Sequence, residues 1–268
     1  MKNLLAALLL NTLALTAAAQ TAPVFTSTCE GKYNSSSSET TKRICETRDL
    51  TMPALGGKTL TIDGRQNGGI TVRGWSGSEV RIRAVVQAWG NTEAAARQQI
   101  PTIRISTANN TLRAEAPGGD TWSVSYEVFV PQQTSLALNT NNGGIRLQDV
   151  RGTITFETKN GGVSLAGVGG NVKGRTTNGG LDIQLTGDKW DGTGLDIATT
   201  NGGIKWEVPQ NYSARLTTST AVGGLKADLP ITKNGMLGRE IATTLGKGGA
   251  PVKAVTTNGG IKIDRTGK

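Results

Sequence analysis

Histidine is absent from all 268 residues. That absence removes imidazole acid–base catalysis, Ser-His triads and histidine metal sites together. Cysteine occurs only twice, too few thiolates to hold a structural metal without other soft ligands. Aromatic residues make up 4% of the chain, so stacking platforms are scarce. The single long apolar run, residues 4–15, is too short to span a bilayer, and no second run follows, so no transmembrane segment is expected. No catalytic, cofactor or metal site emerges, and the chain reads as a non-enzyme.

That apolar run has the features of an export signal. Lys2 precedes it, and Ala17, Ala18 and Ala19 supply a small-residue cleavage site before Gln20. Residues 1–19 are therefore read as a signal peptide, and no Cys follows it as a lipoprotein would require. Lys2 is the only charge in that stretch, so the net charge falls from +9 to +8 on its removal. An exported protein meets little nucleic acid. The basic balance then either faces an anionic envelope polymer or simply keeps the protein soluble. Periplasm and cell surface are both open as destinations. Cys29 and Cys45, a lone close pair in an exported chain, read as a disulfide. Closing that loop contributes about 3 kcal/mol and pins a flap over residues 20–52, in which the enclosed segment with Ser35–Ser38 has no apolar pattern.

What the chain has in excess is glycine, 37 of 268 residues, about twice the usual share. The glycines are organised. Asn-Gly-Gly followed by an aliphatic residue recurs, with a threonine two residues before the asparagine. The pairs are Thr140/Asn142, Thr158/Asn160, Thr176/Asn178, Thr199/Asn201 and Thr256/Asn258, and a further copy at Thr220 has Val222 in place of asparagine. A repeat of this kind implies stacked turns of a solenoid. Ile145, Ile154, Val163, Val172 and Leu181 stand nine residues apart and each begins a strand with apolar residues at alternate positions. Two sides then make a coil of about 18 residues, with later coils lengthened to about 23 by insertion opposite Asn-Gly-Gly. The inserts are residues 186–194 and 231–251.

The expected fold is all-β: a β-solenoid over residues 132–268 with a β-rich N-terminal part over 53–131 and one short helix, capped by Asn91, that Pro101 stops. The alternation directs Phe156, Ile183, Leu185, Ile197 and Trp206 inward, and leaves Gly174 as room for the Phe156 ring. Trp122 and Tyr126 are core candidates. Inward-phase threonines at the corner would bond turn backbone, while Asn and Gly would take the left-handed conformation a tight corner needs. The Thr and Asn rows are thus read as corner chemistry rather than a ligand row. The last strand, carrying Lys262, Asp264, Arg265 and Lys268, is read as a charged terminal edge.

The segment IDGRQNGGITVRGW from Ile62, the strand VRIRAV from Val80, YEVFVP from Tyr126 and the TxNGG coils together resemble a bacterial "putative adhesin" family with a β-strand-repeat, or toast-rack, domain of unknown function. The likeness covers roughly residues 53–265, although that family more often has Asn-Gly-Asp or Asn-Gly-Ser where this chain has Asn-Gly-Gly. It implies an all-β solenoid at the cell envelope and brings no catalytic residues.

Two other patterns fail. Gly74-Trp75-Ser76-Gly77 is not GxSxG. The nine-residue spacing lacks the aspartates of calcium-binding nonapeptides. One polar insert could bind: Asp188, Lys189, Trp190 and Asp191, with Asp182 and Asp196 on flanking strands. Carboxylates beside an exposed Trp190 suit a sugar, and the same residues also suit a plain turn. The expectation is an adhesin-like envelope scaffold binding an envelope glycan, an anionic polymer or a surface protein. The alternatives are a purely structural envelope protein or a carbohydrate-active enzyme on a parallel β-helix.

Overall fold

A computed structural model describes residues 22–29, 41–117, 119, 121–229 and 238–267. The stretch read as an export signal, the Ser35–Ser38 stretch, part of the second insert and Lys268 lie outside them. The first half contains β1 (Lys42–Met52), β2 (Leu60–Asp63), β3 (Ile70–Trp75), β4 (Val80–Gly90), α1 (Glu93–Gln99), β5 (Arg104–Ser106), β6 (Thr111–Glu115) and β7 (Trp122–Pro131). The second half contains β8 (Leu136–Thr140), β9 (Ile145–Gln148), β10 (Arg151–Thr158), β11 (Val163–Ala166), β12 (Gly169–Asn178), β13 (Leu181–Gln184) and β14 (Gly194–Asn201). It continues with β15 (Ile204–Pro209), β16 (Ala214–Val222), β17 (Leu225–Ala227), β18 (Glu240–Leu245), β19 (Pro251–Asn258) and β20 (Ile261–Thr266).

The strands form two ten-stranded sheets that close on one apolar core. Each coil runs up one sheet, turns at Asn-Gly-Gly or its equivalent, and enters the other. Register is kept throughout: Ile145, Val163, Leu181, Ile204 and Ile261 lie side by side in the first sheet. Leu136, Ile154, Val172, Leu195 and Val252 do so in the second. The expected two-sided β-solenoid is what forms. Period-2 alternation buries every second residue, and each buried aliphatic side chain contributes about 1.5–3 kcal/mol. Phe156 faces Gly174 across the coils, where a Cβ would sit 2.4 Å from the ring. Trp206 is fully buried and its indole N–H reaches Thr218 Oγ1 of the opposite sheet at 3.4 Å.

The coil order departs from the chain order at both ends. In one sheet β20 lies between β15 and β17, and in the other β19 lies between β14 and β16. The last coil in sequence is therefore one in from the end of the stack. Lys262, Asp264 and Arg265 stand on an interior strand, not on the terminal edge the sequence suggested. The other end mirrors this: β6 and β7 lie outside β2 and β3. The outermost coils are covered by antiparallel strands, β18 on β16, and β4, β1 and β5 on β7 and β6. The second insert thus contains a strand. Residues 42–52, read as part of a flap, are β1. The helix is capped by Thr92, whose Oγ1 accepts from Ala95 N at 3.1 Å, one residue later than expected.

Candidate functional site

Each corner threonine donates to the first glycine carbonyl of the adjacent coil. Thr140, Thr158, Thr176 and Thr199 reach Gly68, Gly143, Gly161 and Gly179 at 2.6–2.8 Å. Thr256 reaches Gly202, and Thr220 reaches Gly259, both at 2.8 Å, so the bonds follow the stack rather than the chain. A second ladder runs outside it. The amide of Asn142 donates to Asn67, Asn160 to Asn142, Asn178 to Asn160, Asn201 to Asn178 and Asn258 to Asn201, at 2.7–3.0 Å. It stops where Val222 replaces asparagine, and Val222 is 60% exposed.

The two glycines of each corner have different reasons to be there. A Cβ on the first would strike a carbonyl oxygen of the next coil at 2.0–2.2 Å for Gly143, Gly161, Gly179, Gly202 and Gly259. Stacked backbones leave that position no room. From Asn142 to Gly203 the Asn-Gly-Gly residues have no left-handed backbone; it lies on the opposite corner, at Asp149 (φ 54), Gly167 (φ 62) and Gly187 (φ 75), and in the first corner at Arg65 (φ 55). A Cβ on the second glycine would meet its nearest atom at 3.6 Å for Gly162 and Gly260, 3.7 Å for Gly69, and 3.1–3.2 Å for Gly144, Gly180 and Gly203. This second row floors an open groove of about 720 Å³ along the corner. It crosses seven strands from Ser125 to Gly260, roughly 29 Å at about 4.8 Å per strand. Thr71, Arg146, Ser164, Asp182 and Lys205 form its wall, one per strand. The Lys205 ammonium donates to the Glu207 carboxylate, which raises its pKa. Arg146 makes no ion pair among the described residues.

Ser27 closes one end of the groove. It belongs to residues 22–29, an N-terminal strap that crosses the outer face of the first sheet and ends in the disulfide of Cys29 with Cys45 on β1, Cα–Cα 5.6 Å. The Glu127 carboxylate on β7 accepts Thr26 N at 3.0 Å, Ser27 N at 2.7 Å and Thr26 Oγ1 at 2.9 Å, and pairs with Arg73. Glu127 is 1% exposed. Burial pushes its pKa up, but the strap's donors outweigh burial and hold it below the usual carboxylate range. Phe25 packs on Phe129, ring centroids 5.3 Å apart, under the Arg83 guanidinium at 4.7 Å.

The polar insert does not form the expected cluster. Trp190, anticipated as an exposed aromatic, is 5% exposed. Its indole donates to Gly170 O at 3.0 Å and its ring closes the core at the corner opposite Asn-Gly-Gly. The insert is tied to the start of β16, where Ser213 N bonds Asp188 O and Lys189 bridges Ser213, and Trp190 follows on the inward side. The carboxylates diverge: Asp191 pairs with Arg151 at 3.0 Å, Asp196 with Lys253 on the outer face of the second sheet at 3.6 Å, and Asp182 stands in the groove wall of the first. Asp188, Lys189 and Asp191 remain exposed. Sequence reasoning missed the groove. Its signal was the second glycine, which stands one position before each inward aliphatic residue and so faces out.

No helix among the described residues is long and apolar enough to cross a membrane. No curated protein matches the chain. Several crystal structures are similar to it. One is a "putative cell adhesion protein" from Clostridium sporogenes ATCC 15579, 13% identical, TM-score 0.46, covering 84% of this chain and 100% of that one. Another is a "putative adhesin" from Bacteroides fragilis NCTC 9343, 11% identical, TM-score 0.39, covering 83% and 97%. A third is a "putative lipid binding protein" from Parabacteroides distasonis ATCC 8503, 12% identical, TM-score 0.36, covering 82% and 96%. Residues 34–264 match the Toastrack DUF4097 family, and with the coils, the corner ladders and the capped ends this match means that the chain belongs to that family.

Proposed function

We propose that this chain is an exported, non-enzymatic binding scaffold of the cell envelope, adhesin-like in role, whose ligand lies along the corner groove. One observation carries the reading. Packing forbids a side chain at the first glycine of each corner; at the second it crowds one at Gly144, Gly180 and Gly203 but leaves ordinary van der Waals room for a Cβ at Gly69, Gly162 and Gly260. At those last three, glycine is not needed by the stack, and its effect is to keep the groove open. The disulfide fits an oxidising compartment, in keeping with the signal read in residues 1–19. The exposed insert residues Asp188, Lys189 and Asp191 are the competing location for a ligand on this scaffold.

The test is retention of labelled protein on peptidoglycan sacculi and outer-membrane vesicles. Wild type should bind saturably, and Gly162→Leu, which fills the groove, should lose at least ten-fold with an unchanged melting curve. Lys189→Ala should bind normally. Loss in Lys189→Ala with Gly162→Leu intact would move the site to the insert, and no saturable retention would leave the structural role.

A further inference from the structure

The outer face of the first sheet already holds one extended peptide, the chain's own strap. Glu127, which grips it, occupies the same row as the groove wall: Glu127 pairs with Thr71, Thr71 with Arg146, Arg146 with Ser164, Ser164 with Asp182 and Asp182 with Lys205. The strap runs obliquely over the end of the sheet, from Phe129 and Glu127 on β7, past Arg83 on β4, to Cys45 on β1, which is in register with Ser123 of β7 through Gln87. It abuts the groove at Ser27. Within the open stretch Asp182 is the carboxylate in that row. It is exposed and makes no ion pair or hydrogen bond among the described residues. Two strands away stands Arg146, likewise exposed and unpaired. The outward side chains of the wall from Thr71 to Lys205 include no aromatic ring on which a neutral sugar could stack.

We propose that the groove takes an extended peptide segment of a partner protein, laid along the groove and gripped, as the strap is, by a carboxylate of this row. This rests on the groove being the binding site. Asp182 accepts peptide N–H groups as Glu127 does, and Arg146 meets an acidic side chain or a carbonyl. Hydroxyls of Thr71, Ser125 and Ser164 supply further backbone partners. At about 3.3 Å per extended residue the groove holds roughly eight or nine residues. The glycine floor lets the peptide backbone approach closely, as a bulkier floor would not.

The experiment presents the disulfide-intact protein with two arrays, one of random-sequence decapeptides and one of neutral and uronic-acid oligosaccharides. Peptides should be retained. Their affinity should fall at least ten-fold in Asp182→Asn and in Gly162→Leu, and stay unchanged in Asp196→Asn on the other sheet. A Cβ at Gly162 meets its nearest atom at 3.6 Å and points into the open groove, so a matching melting curve is expected. Peptide binding equal to wild type in both groove variants overturns the proposal. Oligosaccharides alone retained, and lost in Gly162→Leu, would keep the groove as the site and refute the peptide. No probe retained refutes both.

Discussion

From β8 to β15 each coil is followed along the chain by its neighbour in the stack, whereas at either end the chain steps over one coil and returns inside it. The corners are the same in both regions. Thr158 in the middle and Thr220 at the end make the same 2.8 Å bond to a neighbouring glycine carbonyl. The comparison shows that the corner interface encodes stacking but not order. Order is imposed by what covers the exposed edges, since an uncovered strand edge is a template for unwanted pairing. Each outermost coil carries antiparallel strands that a simple repeat would not supply, and the chain must travel out to build them.

The sharpest way to break this comparison is deletion of residues 251–268. In a sequential solenoid the loss of the last repeat costs one interface. Here it removes β19 from between β14 and β16, so the terminal coil loses its support too. We expect no cooperative melt and rapid proteolysis of β16 and β18. A truncated chain melting within about 4 °C of the full one, the shift of a change near 1 kcal/mol, would show the interior position to be dispensable.

Next in size is a contrast inside one corner. Gly161→Ala places a Cβ 2.0 Å from Gly143 O and should cost more than about 3 kcal/mol, in the range reserved for severe packing faults. Gly162→Ala should stay within about 0.5 kcal/mol. Equal costs by urea denaturation would remove the distinction on which the groove rests. At the N-terminal end, Cys45→Ser should cost about 3 kcal/mol and make the strap the first site of proteolysis. In the middle, Thr176→Val keeps the shape but leaves Gly161 O without its hydroxyl. It should cost about 1 kcal/mol with no effect on ligand retention.

The smallest expected effect is of pH on the strap. Glu127 has a folded pKa below its unfolded value. Its contribution is therefore complete above the ordinary carboxylate range, and is lost as pH falls through the lower folded value. Amide signals of Thr26 and Ser27 followed by NMR should shift only in that acid window. In Glu127→Gln they should show no such transition, and a transition that persists there would point to another group.

The inward phase of Phe156, Ile183 and Trp206 was legible because side chains alternate strictly along a strand. The threonine row was legible because its spacing repeats. The reason for the corner glycines was not. Left-handed turns and close backbone approach both select glycine, and only the stack shows that the second operates at Gly161. Trp190 misled for a related reason. A single tryptophan among aspartates has no periodicity to reveal its face, and the bond from Ser213 N to Asp188 O that ties the insert comes from a strand-end 25 residues away.

The sequence alone determined the coil, its period of about 18 residues, its inward residues and the disulfide partners, because each follows from short-range alternation, identical corners or the lack of any other cysteine. Tertiary structure decided which coil neighbours which, where the strap docks and where the groove opens. Those depend on contacts between segments far apart in the chain, and the repeated corners, being chemically alike, are satisfied equally well by more than one order.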